Sequence, residues 1–389
     1  MTDRFSTSTA AAAQPPGRRE RRPRRLGLLG LAAAALLTVS GVALAANSSF
    51  IGPLSHVTTV TSAVPHNGDI NPYGIVTVPD TTGNLERGDL LISNFNNAAN
   101  MQGTGTTIDE ISPKTAEKPP GTARLFATID AGDLSSPCPG GIGLTTALAA
   151  LPTGYVVVGS LPTTNGTADT AKAGCLLVLN STGQVVETIS GGLIDGPWDM
   201  SSVTRGSTTT LFVTNVLNHA GPTAADHGTV VRIRLSTPPG MTPKLLDETV
   251  IGTGFLARTD PAALVIGPTG VALGERDTLY VAETLDSRIA AIPNAMDRLT
   301  PIRHGGLTIT SGHLLNGPLG LTIAPNGNIL TANANDGNIV ETTSAGDQLV
   351  AQTGDATTGA GSLFGLTVSP GTNGVFFVDD GDNTLRLLH

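Results

Sequence analysis

Short apolar runs alternate with clusters of glycine, proline, asparagine and threonine along the chain from about residue 66 onward. In some runs apolar and small polar residues alternate, as at Leu321 to Ile323 and Leu366 to Val368, whereas other runs are continuously apolar. Alternation predicts a strand with one covered face, and a continuous run predicts a strand covered on both faces. Apolar residues at helical spacing fit none of these segments for more than two turns. The pattern therefore predicts an all-β protein.

This arrangement of strands recurs six times. Each copy starts with a small residue or a Pro-x-Gly sequence, called here the blade-start motif, and continues with an apolar second strand. Repetition of this kind is typical of a β-propeller, in which each blade is a sheet of four short strands. The sequence therefore predicts one domain, a six-bladed β-propeller over residues 66–389. The motifs and their second strands are Asn71 to Gly74 with Leu90 to Asn94, Gly140 to Gly143 with Tyr155 to Val158, Gly196 to Asp199 with Leu211 to Asn215, Asp260 to Ala263 with Leu279 to Glu283, Gly317 to Gly320 with Ile329 to Asn333, and Ser362 to Gly365 with Val375 to Asp379.

The sixth copy is one strand short. Its third strand is expected at Thr384 to Leu388, directly before His389. Ahead of the first blade, the segment His56 to Thr61 is rich in β-branched residues and has no partner of its own. We therefore expect residues 47–65 to be a linker and a closing strand that completes blade six. A ring closed in this way leaves no exposed edge on its terminal blade.

The first 46 residues have a different composition. Seven arginines between Arg4 and Arg25 precede an uncharged apolar stretch, Leu26 to Ala46, which ends in Ala43-Leu44-Ala45-Ala46. A basic start, an apolar stretch and an A-x-A ending are typical of an export signal. The apolar stretch is also long enough to span a bilayer. Residues 1–46 are therefore predicted to be a cleaved signal peptide or a retained single-span anchor, and the propeller is predicted to be exported, periplasmic or secreted.

Charge narrows the range of partners. The leader contains seven arginines and two acidic residues, Asp3 and Glu20, so its net charge is +5. The net charge of the whole chain is −9, and the remaining residues therefore carry a net charge of −14. Binding to phosphate backbones requires clustered lysines and arginines, so a nucleic-acid partner is not expected. An anionic membrane surface is disfavoured for the same reason, which leaves a retained anchor as the expected membrane contact.

The two cysteines, Cys138 and Cys175, lie in the loop that enters blade two and in its third strand. In an exported protein, two cysteines are most simply one disulfide. The alternatives are two separate thiols, one of them buried in a strand, and a catalytic cysteine. No histidine is close to either cysteine in the sequence, which disfavours the catalytic alternative.

Blade five carries a family resemblance. Its sequence from Gly317 to Asn333 resembles an NHL-type propeller repeat, and Leu279 to Glu283 with Ser287 to Ile289 in blade four is similar to the closing half of that repeat. The resemblance covers about residues 66–389 and implies the propeller fold. The NHL family includes scaffolds that bind proteins or RNA, a zinc-dependent amidating lyase and other enzymes. The resemblance therefore implies no single activity.

Each second strand ends in a polar corner, and these corners are expected around the mouth of the central channel. Oxygen ligands without cysteine suit Ca²⁺ or Mg²⁺, and the set resembles in composition the metal ligands of lactonase-type propellers of the gluconolactonase and paraoxonase kind. The alternative is a turn role, because Asn, Asp and Ser at corners commonly bond to the local backbone. The corner residues are Asn94, Ser160, Asn215, Glu283, Asn333 and Asp379, and we call them the corner ring; all except Ser160 are candidate metal ligands, with Ca²⁺ as the possible cofactor.

Two further sets of side chains are expected on the same face. Three converging imidazoles would suit zinc, but the histidines show no ligand spacing on a regular element, which favours surface loops. Aromatic side chains share the third position of three blade-start motifs and are candidates for a ligand-stacking surface, with packing between blades as the alternative. The histidines are His66, His219, His227 and His313, and the aromatic residues are Tyr73, Trp198 and Phe364.

The sequence contains no G-x-S-x-G, H-E-x-x-H, P-loop or C-x-x-C motif. Two functions of different class remain. The first is an exported propeller that binds an unknown protein or small-molecule ligand through the face that carries the corners. The second is a divalent-metal-dependent lactonase or hydrolase with its ion at the channel mouth.

Overall fold

Four-stranded antiparallel sheets follow one another around a ring in the computed structural model, which describes residues 48–113, 123–216, 228–261, 263–357, 361–368 and 373–389. The second strand of a blade is buried along its whole length, as Leu90–Asn96 and Val156–Ser160 illustrate. An outer strand such as Leu307–Ser311 is largely exposed. The continuous apolar runs therefore predicted the buried second strands correctly. The first strands that contain the alternating runs, Pro318–Ile323 and Leu363–Val368, are instead buried at their starts and half-buried at their ends.

The first three blades contain the longest strands and the longest connections. Blade one consists of β2 (Ile70–Thr77), β3 (Leu90–Asn96), β4 (Thr107–Ile111) and β5 (Arg124–Thr128). Blade two consists of β6 (Leu144–Ala150), β7 (Val156–Ser160), β8 (Cys175–Leu179) and β9 (Val185–Ser190). Blade three consists of β10 (Pro197–Arg205), β11 (Thr208–Asn215), β12 (Gly228–Ser236) and β13 (Lys244–Phe255). Short 3₁₀ turns lie at Ala131–Asp133 and Ala168–Thr170.

A two-stranded hairpin, β14 (Arg258–Asp260) and β15 (Leu264–Ile266), separates blade three from blade four. Blade four consists of β16 (Pro268–Leu273), β17 (Leu279–Glu283), β18 (Arg288–Ile292) and β19 (Leu307–Ser311), with a 3₁₀ turn at Glu275–Asp277. Blade five consists of β20 (Pro318–Ile323), β21 (Ile329–Asn333), β22 (Asn338–Thr342) and β23 (Gln348–Thr353). Blade six consists of β24 (Leu363–Val368), β25 (Val375–Asp379), β26 (Thr384–Leu388) and β1 (Val57–Ser62).

The ring is closed by its N-terminal strand, as predicted. β1 pairs antiparallel with β26, so that Val57 lies opposite Leu388 and Ser62 lies opposite Thr384. The outer strand of blade six therefore comes from the other end of the chain. This pairing confirms the all-β six-bladed propeller closed by residues ahead of the first blade.

Two of the predicted blade-start motifs are displaced. In blade four the first strand begins at Pro268, which pairs with Glu283, and the motif predicted at residues 260–263 belongs to the hairpin of β14 and β15. In blade two the first strand begins at Leu144, which pairs with Ser160, directly after the predicted motif. Pro-rich turns and strand starts have similar composition, so the sequence alone did not separate them.

The hydrophobic core lies between neighbouring blades. Ile108 of blade one packs in a cluster with Leu177 of blade two, and Val157 of blade two packs in the next cluster with Val213 of blade three. Each blade is therefore covered on both faces by its neighbours, which is why its middle strands are apolar without alternation.

Glycines allow the first strands to approach one another closely. A Cβ atom on Gly320 would lie 2.0 Å from the carbonyl oxygen of Phe364 in the next blade, a distance that no side chain tolerates. Gly327 has a φ of 83° in the turn between β20 and β21, a conformation that favours glycine.

The segment before β1 is fixed to blade five by one carboxylate. Glu341 accepts hydrogen bonds from the backbone N–H of Phe50 at 2.8 Å and of Ile51 at 2.9 Å, and from the Ser49 hydroxyl at 2.5 Å. Burial by itself would raise the pKa of Glu341, but the hydrogen bonds from Asn328, Ser49 and their neighbours lower the pKa by more. The pKa of Glu341 is therefore below its ordinary value. This segment thus adds a second N-terminal contact beside the closing strand.

One compact unit extends from Ala46 to His389. The predicted signal or anchor at residues 1–46 lies outside the described residues. Within the described part of the chain, no helix has the length and apolar character needed to cross a membrane.

Candidate functional site

One face of the ring, the top face, carries the connections between blades and the corners after each second strand. Every member of the corner ring lies there and is fully buried. In register, five corner residues lie opposite the first residue of the first strand of their blade, as Asn215 lies opposite Pro197, and Asn94 lies opposite Pro72, the third residue of β2. The repeat therefore places these six side chains at equivalent positions, as predicted.

The uncharged members of the corner ring form hydrogen bonds close to their own corners. Ser160 accepts from the backbone N–H of Gly143 at 3.0 Å, and Asn215 accepts from that of Gly196 at 3.1 Å. Asn333 donates to the Leu314 carbonyl at 2.8 Å. Asn94 donates to Asp109 at 3.1 Å. These contacts are those expected of corner residues that replace missing backbone partners.

The charged members of the corner ring are each paired with an arginine. Glu283 forms an ion pair with Arg288 and accepts from the backbone N–H of Leu256 at 2.8 Å. Asp379 lies 3.1 Å from a guanidinium nitrogen of Arg386. Burial raises the pKa of Glu283, and it raises that of Asp379 to about 6 against the opposing effect of Arg386. Each carboxylate thus already has a cation beside it.

This arrangement fits a structural role better than a metal centre. Buried side-chain oxygens of Asn94, Asn333 and the neighbouring Asp109 have no hydrogen-bond partner among the described residues, and the oxygens of Glu283 and Asp379 that accept no hydrogen bond are ion-paired with their arginines. Three oxygens do not supply the six to eight ligands that Ca²⁺ takes. Among the described residues, no group of three or more His, Cys, Asp or Glu side chains is placed to hold a metal ion. That the corner ring binds a divalent cation therefore stays a prediction.

The predicted aromatic residues meet at the channel mouth. Tyr73 stacks on Phe364 with ring centroids 3.9 Å apart, and on Phe95 with centroids 4.7 Å apart. Trp198 lies at 6.3 Å from Tyr73 in a tilted arrangement. All four rings are buried in one cluster, to which Leu319 of blade five also belongs. The predicted set thus comes together, but its ring faces pack on one another and close the mouth of the channel.

The hairpin between blades three and four lies against this cluster. Leu264 and Val265 are buried in it, and Leu264 has a φ of 60°, which is unusual for a branched side chain. At the tip of the hairpin, the Pro261 carbonyl accepts a hydrogen bond from Gln102 of blade one at 3.5 Å. The hairpin therefore reaches from blade four to blade one over the closed mouth.

The long loops of blades one and two are joined to each other. Thr163 donates its backbone N–H to the Gly103 carbonyl at 2.9 Å and its hydroxyl to the Gln102 carbonyl at 2.6 Å. Cys138 and Cys175 form a disulfide, as predicted, which fixes the loop entering blade two to the start of its third strand. We call these connected segments, residues 97–106, 129–143, 161–174 and 258–266, the loop layer.

A groove of about 310 Å³ lies within the loop layer. One wall is formed by residues 166–169 of blade two, and the other by Thr259, Asp260 and Pro261 of the hairpin. Asp260 is ion-paired with Arg258 at 2.8 Å, so this wall carries both charges. The groove is thus a concave surface formed jointly by a loop of blade two and the hairpin.

The predicted histidines do not form a cluster in the described residues. His66 and His313 are exposed and precede different blades, in agreement with a role as surface-loop residues. His219 and His227 lie outside the described residues.

Sequence reasoning missed Asp199 as a site residue. It occupies the fourth position of the predicted blade-start motif, which is glycine in the motifs of blades one, two, five and six, and this was the signal available in the sequence. The structure places it on the wall of the central channel, beneath Trp198, where it accepts hydrogen bonds from the backbone N–H groups of Met200 at 2.8 Å and Val271 at 3.1 Å. Burial raises the pKa of Asp199 to about 8, although both hydrogen bonds lower it.

Solved structures with this fold include enzymes. A streptogramin B lyase is 13% identical, with 86% of this chain and 97% of that chain covered and a TM-score of 0.50. A gluconolactonase from Xanthomonas campestris is 16% identical, with 87% of this chain and 90% of that chain covered and a TM-score of 0.50. A virginiamycin B lyase from Staphylococcus aureus is 12% identical over 86% of this chain and 99% of that chain, with a TM-score of 0.49.

At these identities the likeness shows a shared six-bladed propeller fold and does not extend to activity. No family model matches the chain, and no curated protein is significantly similar to it. The finer prediction of an NHL-type propeller therefore stays a prediction.

Proposed function

We propose that this protein is an exported binding propeller that recognises a protein or small-molecule ligand through the loop layer on its top face. The observation that carries the proposal is that loops from blade one, blade two and the hairpin are joined by hydrogen bonds and a disulfide around one groove. Loops that are already ordered lose little conformational entropy when a ligand binds.

The groove indicates the polarity of that ligand. Hydroxyl groups of Thr167 and Thr259 and the carboxylate of Asp169 line it, and no lysine or arginine is among its described lining residues. A surface of this kind suits a ligand that offers hydrogen-bond donors, and an acidic domain repels polyanions. The proposal therefore excludes nucleic acid as the partner.

A divalent-metal-dependent lactonase or hydrolase is the alternative function. It would require the carboxylates of Glu283 and Asp379 to leave Arg288 and Arg386 and to turn toward a shared ion. It would also require an opening at the channel mouth, which Tyr73 and the rings stacked on it fill. These contacts favour the binding function.

The proposal is tested by blocking the groove. Thr167 is exposed in its wall, so that Thr167→Arg fills the groove without touching the core. Immobilised parent protein and variant are incubated with the extracellular proteins and the cell-wall fraction of the producing organism, and the retained molecules are identified. We expect immobilised Thr167→Arg to retain at least about tenfold less of a ligand than the immobilised parent does.

Ser207→Arg is the matched control, because Ser207 is exposed in the turn between β10 and β11 on the opposite face. It adds the same side chain and should retain the ligand. Equal retention by the parent and Thr167→Arg would contradict the binding proposal. Hydrolysis of lactones by the metal-loaded parent that Glu283→Gln abolishes would establish the alternative instead.

A further inference from the structure

The central channel is a blind cavity below the aromatic cluster. Its volume is about 200 Å³, and its lining residues come from the first strands of all six blades. The mouth on the top face is closed by Tyr73, Trp198 and Phe364, which are each buried. Exposure of the lining residues increases away from this cluster along five of the six first strands, as from buried Met200 to exposed Ser202 in blade three, whereas β6 of blade two is buried throughout. The channel therefore opens on the face opposite the loop layer.

Asp199 is the only ionisable side chain among the described residues that line this channel. The equivalent position is glycine in four other blades, where a Cβ would collide with a neighbouring strand; on Gly74, for example, it would lie 2.8 Å from the Thr146 carbonyl. Each carboxylate oxygen of Asp199 accepts one backbone hydrogen bond and keeps one lone-pair direction free. The side chain is deep inside the ring, but it is partly exposed to the space of the channel.

A second polar group on the channel wall lacks a partner. The hydroxyl of Thr146 in blade two has no hydrogen-bond partner among the described residues, and Thr146 is only 3% exposed. Buried polar groups in native proteins are nearly always paired with protein, water or ligand. That hydroxyl is enclosed by protein atoms, so the carboxylate of Asp199 is the charged group that the channel offers to a ligand.

The rest of the wall determines which counter-charge suits the carboxylate. A buried carboxylate needs a proton or a cation beside it. A metal ion would need many oxygen ligands, and Asp199 is the only carboxylate among the described lining residues. Within a wall of mixed polarity, apolar contacts are available from Leu148, Met200, Val271, Leu321 and Leu366. An organic cation satisfies both features, because its ammonium group pairs with the carboxylate and its hydrocarbon part contacts the apolar wall.

We propose that the channel binds small primary amines, with the ammonium group on Asp199 and the alkyl chain toward the open face. This site is separate from the loop layer and does not depend on the binding function proposed for it. Because the pKa of Asp199 is raised to about 8, the amine competes with a proton at neutral pH, and its apparent affinity increases with pH.

The test uses n-butylammonium chloride as the probe and isothermal titration calorimetry on the purified protein. We expect saturable binding to the parent that is at least about tenfold tighter at pH 9 than at pH 6, because the ammonium stays charged while Asp199 loses its proton. 1-Butanol, which has nearly the same shape without the charge, should bind at least about tenfold more weakly.

Three variants separate the site from general effects of charge. Asp199→Asn should lose at least about tenfold in affinity, and Ser202→Trp should block the opening while it leaves the carboxylate intact. Asp80→Asn removes the same charge from an exposed loop on the open face and should bind like the parent. Absence of saturable binding, equal binding of 1-butanol, or equal binding by Asp199→Asn or Ser202→Trp would each overturn the proposal.

Discussion

The ring of Tyr73 stacks on the ring of Phe364, with centroids 3.9 Å apart and planes inclined by 19°. Tyr73 belongs to blade one and Phe364 to blade six, so this contact joins the first blade of the ring to the last. It lies at the same seam as the pairing of β1 with β26 in blade six. The seam between the chain ends is therefore held both at the axis and at the rim.

Removal of this aromatic contact should lower the stability of the whole ring. Phe364→Ala is expected to reduce the free energy of unfolding by about 3–5 kcal/mol, because it leaves a cavity between buried rings. Urea denaturation followed by circular dichroism measures the loss. Leu299→Ala, at a position that is 80% exposed, is the control and should change stability by less than about 0.5 kcal/mol. Similar effects of the two substitutions would contradict a role of the stack in closing the ring.

The disulfide between Cys138 and Cys175 should stabilise blade two and the loop layer. Its cysteines are 37 residues apart, and a loop of that size corresponds to about 3–4 kcal/mol of chain entropy in the unfolded state. Thiol titration of the denatured, unreduced protein should find no free thiol. A reductant should lower the denaturation midpoint of the parent but not that of the Cys138→Ser, Cys175→Ser double variant. Two free thiols per chain would refute the bond.

Glu341 should make the attachment of the N-terminal segment dependent on pH. Its pKa is lowered in the folded protein, so it stabilises the fold above the ordinary glutamate pKa of about 4.3 and loses this effect as pH falls through its folded value. The protection factors of the Phe50 and Ile51 amides, which correct hydrogen exchange for its intrinsic pH dependence, should therefore be high at neutral pH and low at the acidic end.

The variant Glu341→Gln should be less stable than the parent by about 2 kcal/mol at pH 7, because the five hydrogen bonds that the carboxylate accepts lose their charge assistance. The difference between the two should shrink as pH decreases below about 4. Glu275→Gln, at an exposed glutamate, serves as the control. A stability difference that is independent of pH would show that the carboxylate charge does not hold the segment.

Calcium should leave the thermal stability of the protein unchanged. The corner carboxylates are already paired with Arg288 and Arg386, so a divalent cation would have to displace those guanidinium groups. Differential scanning fluorimetry after chelator treatment measures the response to added Ca²⁺. An increase in the melting temperature that is absent in Glu283→Gln and present in Glu275→Gln would contradict this expectation. A calcium site at a hundredfold excess of ion over its dissociation constant would add about 2.7 kcal/mol to the free energy of unfolding.

The sequence predicted the ring because its signals are local and repeated. Continuous apolar runs identified the buried second strands, and the β-branched segment before blade one identified the strand that pairs with Thr384–Leu388. Blade four was misplaced because Asp260-Pro261 and Pro268-Thr269-Gly270 are both plausible turn sequences. Only the pairing of Pro268 with Glu283 distinguishes them, and that pairing is a tertiary contact.

The site was predicted less completely, because composition does not give orientation. Equivalent positions placed Tyr73, Trp198 and Phe364 on one face correctly, but whether their rings face a ligand or one another depends on blade geometry. The hairpin of β14 and β15 that lies against them has no counterpart in the other blades, so no repeat could predict it. That these three rings line a ligand surface stays a prediction, and it would require the hairpin to move.

The origin of the closing strand has a kinetic consequence. β1 is among the first strands to be synthesised, and its partner β26 is the last, so blade six assembles only when the whole chain is available. Contacts between such distant residues form slowly, because the entropy of closing the long loop is lost before the pairing stabilises it. Until then, the free edge of β1 is able to pair with another chain. The time between synthesis and ring closure is therefore the period in which this protein is most exposed to aggregation.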